Sequence, residues 1–80
     1  MPIADPLHKA IFHHRWTSAK DRAQHWTLVW KAAQTWLIQN KAWKHYLNHY
    51  VNVDDREGTS ELVVVLRDRN TALMLKLAIG

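Results

Sequence analysis

Residues 18–40, SAKDRAQHWTLVWKAAQTWLIQN, decide how the chain is read. Ala19, Ala23, Trp26, Trp30, Ala33 and Leu37 recur at alternating steps of four and three, which is the apolar stripe of an amphipathic helix, with Val29 and Trp36 at its margins. Ser18 followed by Asp21 reads as a capping-box-like start, because a serine hydroxyl can accept from a free first-turn amide and an early acid suits the positive helix end. No Gly or Pro interrupts the run. Asn40 is the expected C-cap, since Asn tolerates the left-handed backbone. These residues predict a helix over 19–39.

On the N-terminal side, Pro2 and Pro6 bracket a short loose start, and Asp5-Pro6 has the form of a helix cap. The next residues argue against a helix. Ile11-Phe12-His13-His14-Arg15-Trp16 is rich in strand formers, and the strand is the favoured reading. On the other side, Trp43, Tyr46, Leu47 and Tyr50 repeat a helical spacing and predict a second, shorter helix over 41–50. Its outward face would carry Lys41, Lys44, His45 and Asn48. From Tyr50 to Asp54 the pattern shifts towards alternation, and 55–60 is a polar turn in which Gly58 can take positive φ. The tail is read as a C-terminal hairpin: a strand over 61–67, a turn at Asp68-Arg69-Asn70, and an alternating strand over 73–79. The unbroken apolar run Leu62–Leu66 suggests a central strand.

The expected fold is therefore a single two-layer α+β domain of residues 1–80, with one long and one shorter helix packed on a small antiparallel sheet that includes a C-terminal hairpin. Its expected core holds Trp26, Trp30, Ala33, Leu37, Val64, Leu66, Leu75 and Leu77. At 80 residues with 5 tryptophans, the chain has to build that core from few, large side chains.

Composition excludes several function classes. Without cysteine, neither disulfides nor thiolate metal sites are available, which fits a reducing, cytoplasmic setting. The N-terminus lacks the basic and apolar regions of a secretory signal, and no apolar run approaches a membrane span. Only two glycines are present, so no phosphate-binding loop can form. Ser18 and Ser60 lie outside any nucleophile-elbow pattern. His45 and His49 have H-x-x-x-H spacing, but Tyr46 stands where a zinc protease carries its glutamate. A third ligand would have to come from His13, His14, Asp54 or Asp55, and no metal or other cofactor is expected. His13 and His14, adjacent in a strand, would point to opposite faces.

Charge is the most suggestive feature. Residues 1–50 hold seven Lys/Arg against two Asp/Glu, a net of +5, while residues 51–80 hold four against five, a net of −1. All 6 histidines also lie in the first segment. Such a field draws phosphates or acidic protein surfaces. The candidate partner-binding residues are Lys41, Lys44, His45 and Asn48 on the second helix, with Lys20 and Lys31 on the polar side of the first. No assembled catalytic set is legible, and Trp and Tyr are frequent interface anchors. The leading expectation is a non-enzymatic protein docking on an acidic protein surface or nucleoprotein complex. A nucleic-acid-binding module is the second reading.

The last segment, Asn70-Thr71-Ala72-Leu73-Met74-Leu75-Lys76-Leu77-Ala78-Ile79-Gly80, resembles the closing strand of many short phage-encoded accessory proteins. Leu73 and Leu75 depart from that pattern, which favours an aromatic there. The resemblance implies a small protein of a virus or mobile element acting in the host cytoplasm by docking on a host machine, as anti-CRISPR inhibitors do. The expected element order is also similar to that of RelE-type toxins, which implies a small ribonuclease as a third reading.

Overall fold

The computed structural model describes residues 7–80; the Asp5-Pro6 cap lies outside the described residues. The chain runs β1 (His8–Arg15), α1 (Ala19–Gln39), a short 3-10 turn (Trp43–His45), β2 (Tyr46–Asp54), β3 (Thr59–Leu66) and α2 (Arg69–Ile79). The sheet is antiparallel in the order β1-β3-β2. Both helices join one core on one side of it. The α+β class and the long helix agree with the sequence reading.

Local chemistry explains α1. Ser18 is extended, and its Oγ accepts from the Asp21 amide at 3.0 Å. The Asp21 carboxylate reaches back to the Thr17 amide at 3.0 Å. Trp26, Ala33 and Leu37 are buried, with Val29, Trp30 and Trp36 half-buried around them. Asn40 is the C-cap, as expected, and its side-chain amide donates to the Trp36 carbonyl at 2.8 Å, but the left-handed residue is the next one, Lys41 (φ 55), while Asn40 has φ −95. Lys41 donates to the Ile38 carbonyl at 3.1 Å and Ala42 to the Leu37 carbonyl at 2.8 Å. This is a Schellman closure, with buried Ala42 packed beside the helix end and a lysine in the position that glycine usually takes.

Two expected elements are wrong. There is no helix over 41–50. The 3-10 turn sets Trp43 against Tyr46, and an irregularity between Tyr46 and Asn48 shifts the register of β2 on β3. The extra residue brings Tyr46 and His49, three apart, to the same face of the sheet. A turn plus a bulge thus imitates a helical period. There is no C-terminal hairpin either; the hairpin is β2-β3, closed by Gly58 at φ 66. Residues 69–79 are α2, started by Asp68, whose carboxylate accepts from the Thr71 amide at 2.9 Å and the Thr71 hydroxyl at 2.7 Å. Leu, Met, Ala and Lys are good helix formers, and this outweighs an alternation that suits either structure. The segment that carried the resemblance to phage proteins is therefore a helix, not a closing strand.

β3 is central, as its apolar run suggested. Leu62, Val64 and Leu66 face the helices with Ala10 and Phe12 of β1. Val63 and Val65 point to the opposite face, where Val63 lies between Ile11 and Tyr50, and Val65 between Lys9 and Asn48. Ala72 and Leu75 of α2 complete the core, and Leu77, expected there, is 80% exposed. Leu75→Ala should therefore cost ~2–5 kcal/mol in urea unfolding, a large share of a small domain's stability, while Leu77→Ser should leave the midpoint nearly unmoved.

Candidate binding surface

The antiparallel sheet sorts the charges. Its register brings His8 of β1 and Tyr46 of β2 to either side of Leu66, where β3 ends. The 3-10 turn and the β3-α2 connection meet at this end: the Arg67 amide donates to the His45 carbonyl at 2.8 Å. Lys9, Lys41, Lys44, Arg67 and Arg69 gather there, all exposed, with His8 and His45 between them. Asp68 is the one acid at this pole among the described residues. Its carboxyl is held below the usual range by its hydrogen bonds to Thr71, with His45 and His8 adding a weaker pull. Trp43, 41% exposed, stands beside the cluster.

The opposite pole collects most of the acids around the β2-β3 turn. Asp54, Asp55, Glu57 and Glu61 lie on or next to the β2-β3 turn, and Asp21 sits on the first turn of α1. Arg15, Lys20, Arg22 and Arg56 partly balance them. Arg15 donates to the Glu57 carbonyl at 3.4 Å, and Arg22 covers the Trp16 ring at 4.7 Å. The α1 dipole runs with this gradient, its positive end at the acid-bearing pole and its negative end beside Lys41 and Lys44.

The expected basic helical face does not exist as one surface. Lys41 occupies the left-handed turn, and Lys44 and His45 the 3-10 turn. Asn48 lies on β2, on the sheet face away from the helices. Lys20 and Lys31 do share the outer side of α1, but Lys20 lies about 30 Å from the helix's far end. The structure keeps Lys41, Lys44 and His45 together, separates Lys20 and Lys31 from them, adds His8, Arg67 and Arg69, and sets Lys9 beside Asn48 on the sheet face away from the helices, one on each side of Val65. Periodicity could not have found the added group, because only strand pairing brings residues 8–9 and 67–69 together.

Two aromatic clusters tie α1 to the sheet. In the first, the His14 and His25 rings stack at 3.7 Å, with Trp26 edge-on to both. His14 Nε2 is 3.1 Å from the Asp21 carboxylate. Trp26 donates its indole N–H to the buried Ser60 hydroxyl at 2.7 Å. Asp21 is held below its ordinary value by the Thr17 amide first and by His14 second. Burial lowers His25, and the neighbouring His14 adds to this. In the second cluster, Trp30 stacks on His49 at 3.7 Å, and Trp43 on Tyr46 at 4.6 Å. The Tyr46 hydroxyl and His49 Nδ1 are 2.6 Å apart. Burial lowers His49 and raises Tyr46. His45 and His49 do not share a helix face, since they lie in the turn and the strand. Among the described residues no group of three or more His, Asp or Glu is placed to hold a metal ion.

Compared with known proteins, the chain matches no protein family, no curated protein and no solved structure.

Acid should loosen the fold. In the unfolded chain His25 and His49 titrate at the ordinary value of 6.5, but the folded protein resists their protonation. Stability is then complete above that value and falls as pH drops below it. The lowered Asp21 and Asp68 add a further loss in the carboxylate range. The melting temperature should decline from pH 7 to 5, and the double variant His25→Gln with His49→Gln should flatten that decline. Separately, Trp26→Phe leaves Ser60 without its buried donor and should cost ~1–3 kcal/mol in urea unfolding.

Proposed function

We propose that this chain is a non-enzymatic binding protein that meets an acidic or phosphate-bearing partner through its basic pole. One observation carries the reading. Lys41, Lys44, Arg67 and Arg69 come from separate parts of the chain and are exposed at the end of the molecule that also carries the half-exposed Trp43, with Asp68 as the one acid among them in the described residues and Lys9 on the neighbouring sheet face. A field of one sign at one end steers an oppositely charged partner and orients it on arrival.

The left-handed Lys41 supports it. Glycine would fit that turn without the penalty of a side chain, and the lysine in its place sets an exposed cation at the basic pole. The most specific form of the proposal is an accessory protein of a phage or mobile element, of the anti-CRISPR kind, working in a host cytoplasm on a nucleoprotein complex; with the resembling segment folded as α2, this form rests on the basic pole alone. A basic pole suits the phosphate-bearing surface of such a complex. The ribonuclease alternative rested on a strand–helix–helix–sheet order, which the chain does not have.

Capture from a lysate, with and without nuclease, tests the reading and identifies the partner class. The double variant Arg67→Glu with Arg69→Glu should lose the partner while keeping its melting temperature, because both side chains are exposed. Lys41→Gly should weaken binding while holding or raising stability, a combination that a purely structural lysine would not give. If the partner is nucleic acid, each phosphate contact removed should reduce the salt slope by about one. If it is an acidic protein, the same changes should chiefly slow association. Undiminished binding by the folded double variant would reject the basic pole as the working surface.

A further inference from the structure

The two edges of the sheet differ. At β1, α2 packs alongside, and the Lys76 ammonium donates to the Ile11 carbonyl while lying 4.8 Å from the Phe12 ring centre. A lysine on an edge carbonyl is one of the ways proteins discourage further strand pairing. β2 lies at the other end of the sheet, with β3 as its partner strand. From Tyr46 to Val53 it carries no Asp, Glu, Lys or Arg. Val51 and Val53 are 40% and 44% exposed. An uncharged edge with exposed branched side chains is a template for another strand.

The charges at the two ends of β2 indicate which strand. Lys41, Lys44 and His45 precede it, Asp54 ends it, and Asp55 and Glu57 follow, with Arg56 between them. We infer that β2 pairs antiparallel with β2 of a second copy about a two-fold axis, joining two three-stranded sheets into one of six. A register centred on His49 pairs Asn48 with Tyr50 and brings the 3-10 turn that carries Lys44, just before each β2, towards the acidic turn of its partner, twice over. A parallel pairing would place like charges together. The isologous arrangement therefore satisfies both halves with one set of contacts. Lys9 belongs to β1, Arg67 to the β3-α2 connection and Arg69 to α2, away from this seam, so the inference stands whether or not the basic pole binds a polyanion.

Sedimentation equilibrium of the full chain over a wide concentration range tests the pairing. The wild-type chain should reach twice its monomer mass. Val51→Lys, which adds an edge charge at an exposed position, should raise the dimer dissociation constant by about tenfold or more while leaving circular dichroism unchanged. Asp54 closes the hairpin by accepting from the Arg56 and Glu57 amides, so the charge test uses its exposed neighbour. Lys44→Glu and Asp55→Lys should each weaken the dimer, and the two together in one chain should restore it. A chain that stays monomeric throughout overturns the inference. So does a dimer that is indifferent to Val51→Lys, because its seam then lies elsewhere, as on the exposed Leu73, Met74 and Leu77 of α2.

Discussion

Burial of β3 on both faces is the constraint from which the rest follows. Leu62 to Leu66 are five consecutive apolar residues, and a strand turns alternate side chains to opposite faces. Such a strand is covered only at the centre of a sheet. β2 reaches it by a tight turn. β1 has to arrive from the far end of the sequence, and α1 spans the distance between β1 and β2. Leu62, Val64 and Leu66 then present a face that α1 and α2 cover. The other face closes over Val63 and Val65 only through residues on the neighbouring strands.

The same topology makes the electrostatics. Along the sequence, positive charge belongs to the first fifty residues and the balance tips slightly negative after them. In space the division is by pole. Antiparallel pairing carries Arg67 and Arg69, from the weakly acidic segment, to the start of β1 and β2. It leaves Asp21, from the basic segment, beside the acidic turn. The sequence asymmetry was real but described the wrong axis, because strand pairing joins residues about sixty positions apart.

The parts that could be read in advance were those whose signals had no competitor. The stripe of α1 is long, its cap is made by Ser18, and no strand could carry 21 residues of that period. The run 62–66 and the glycine of the turn were similarly clear. The misread parts each had two periods in agreement over a short stretch. Trp43, Tyr46 and Tyr50 fit a helix until a bulge is allowed for. Leu73, Leu75, Leu77 and Ile79 alternate, but Asp68 and Thr71 make a cap, and nothing in 72–78 is β-branched. Leu77 entered the expected core only because alternation placed it with Leu75. Of the candidate site, Lys41, Lys44 and His45 were legible from their closeness in sequence. His8, Lys9, Arg67 and Arg69 were not, since their grouping depends on pairing between distant strands.

The stack of Trp30 on His49 gives the molecule an internal optical reporter. The two rings lie 3.7 Å apart and 20° from parallel, and His49 also meets the Tyr46 hydroxyl. A protonated imidazole quenches an excited indole by accepting an electron from it, whereas a neutral one does so weakly. Emission from Trp30 is therefore coupled to the ionisation of one histidine at the α1–β2 contact. A ligand or second chain that adds charge beside β2 acts on this contribution to the emission, and not on that of Trp26, which meets His25 and His14 at the other cluster.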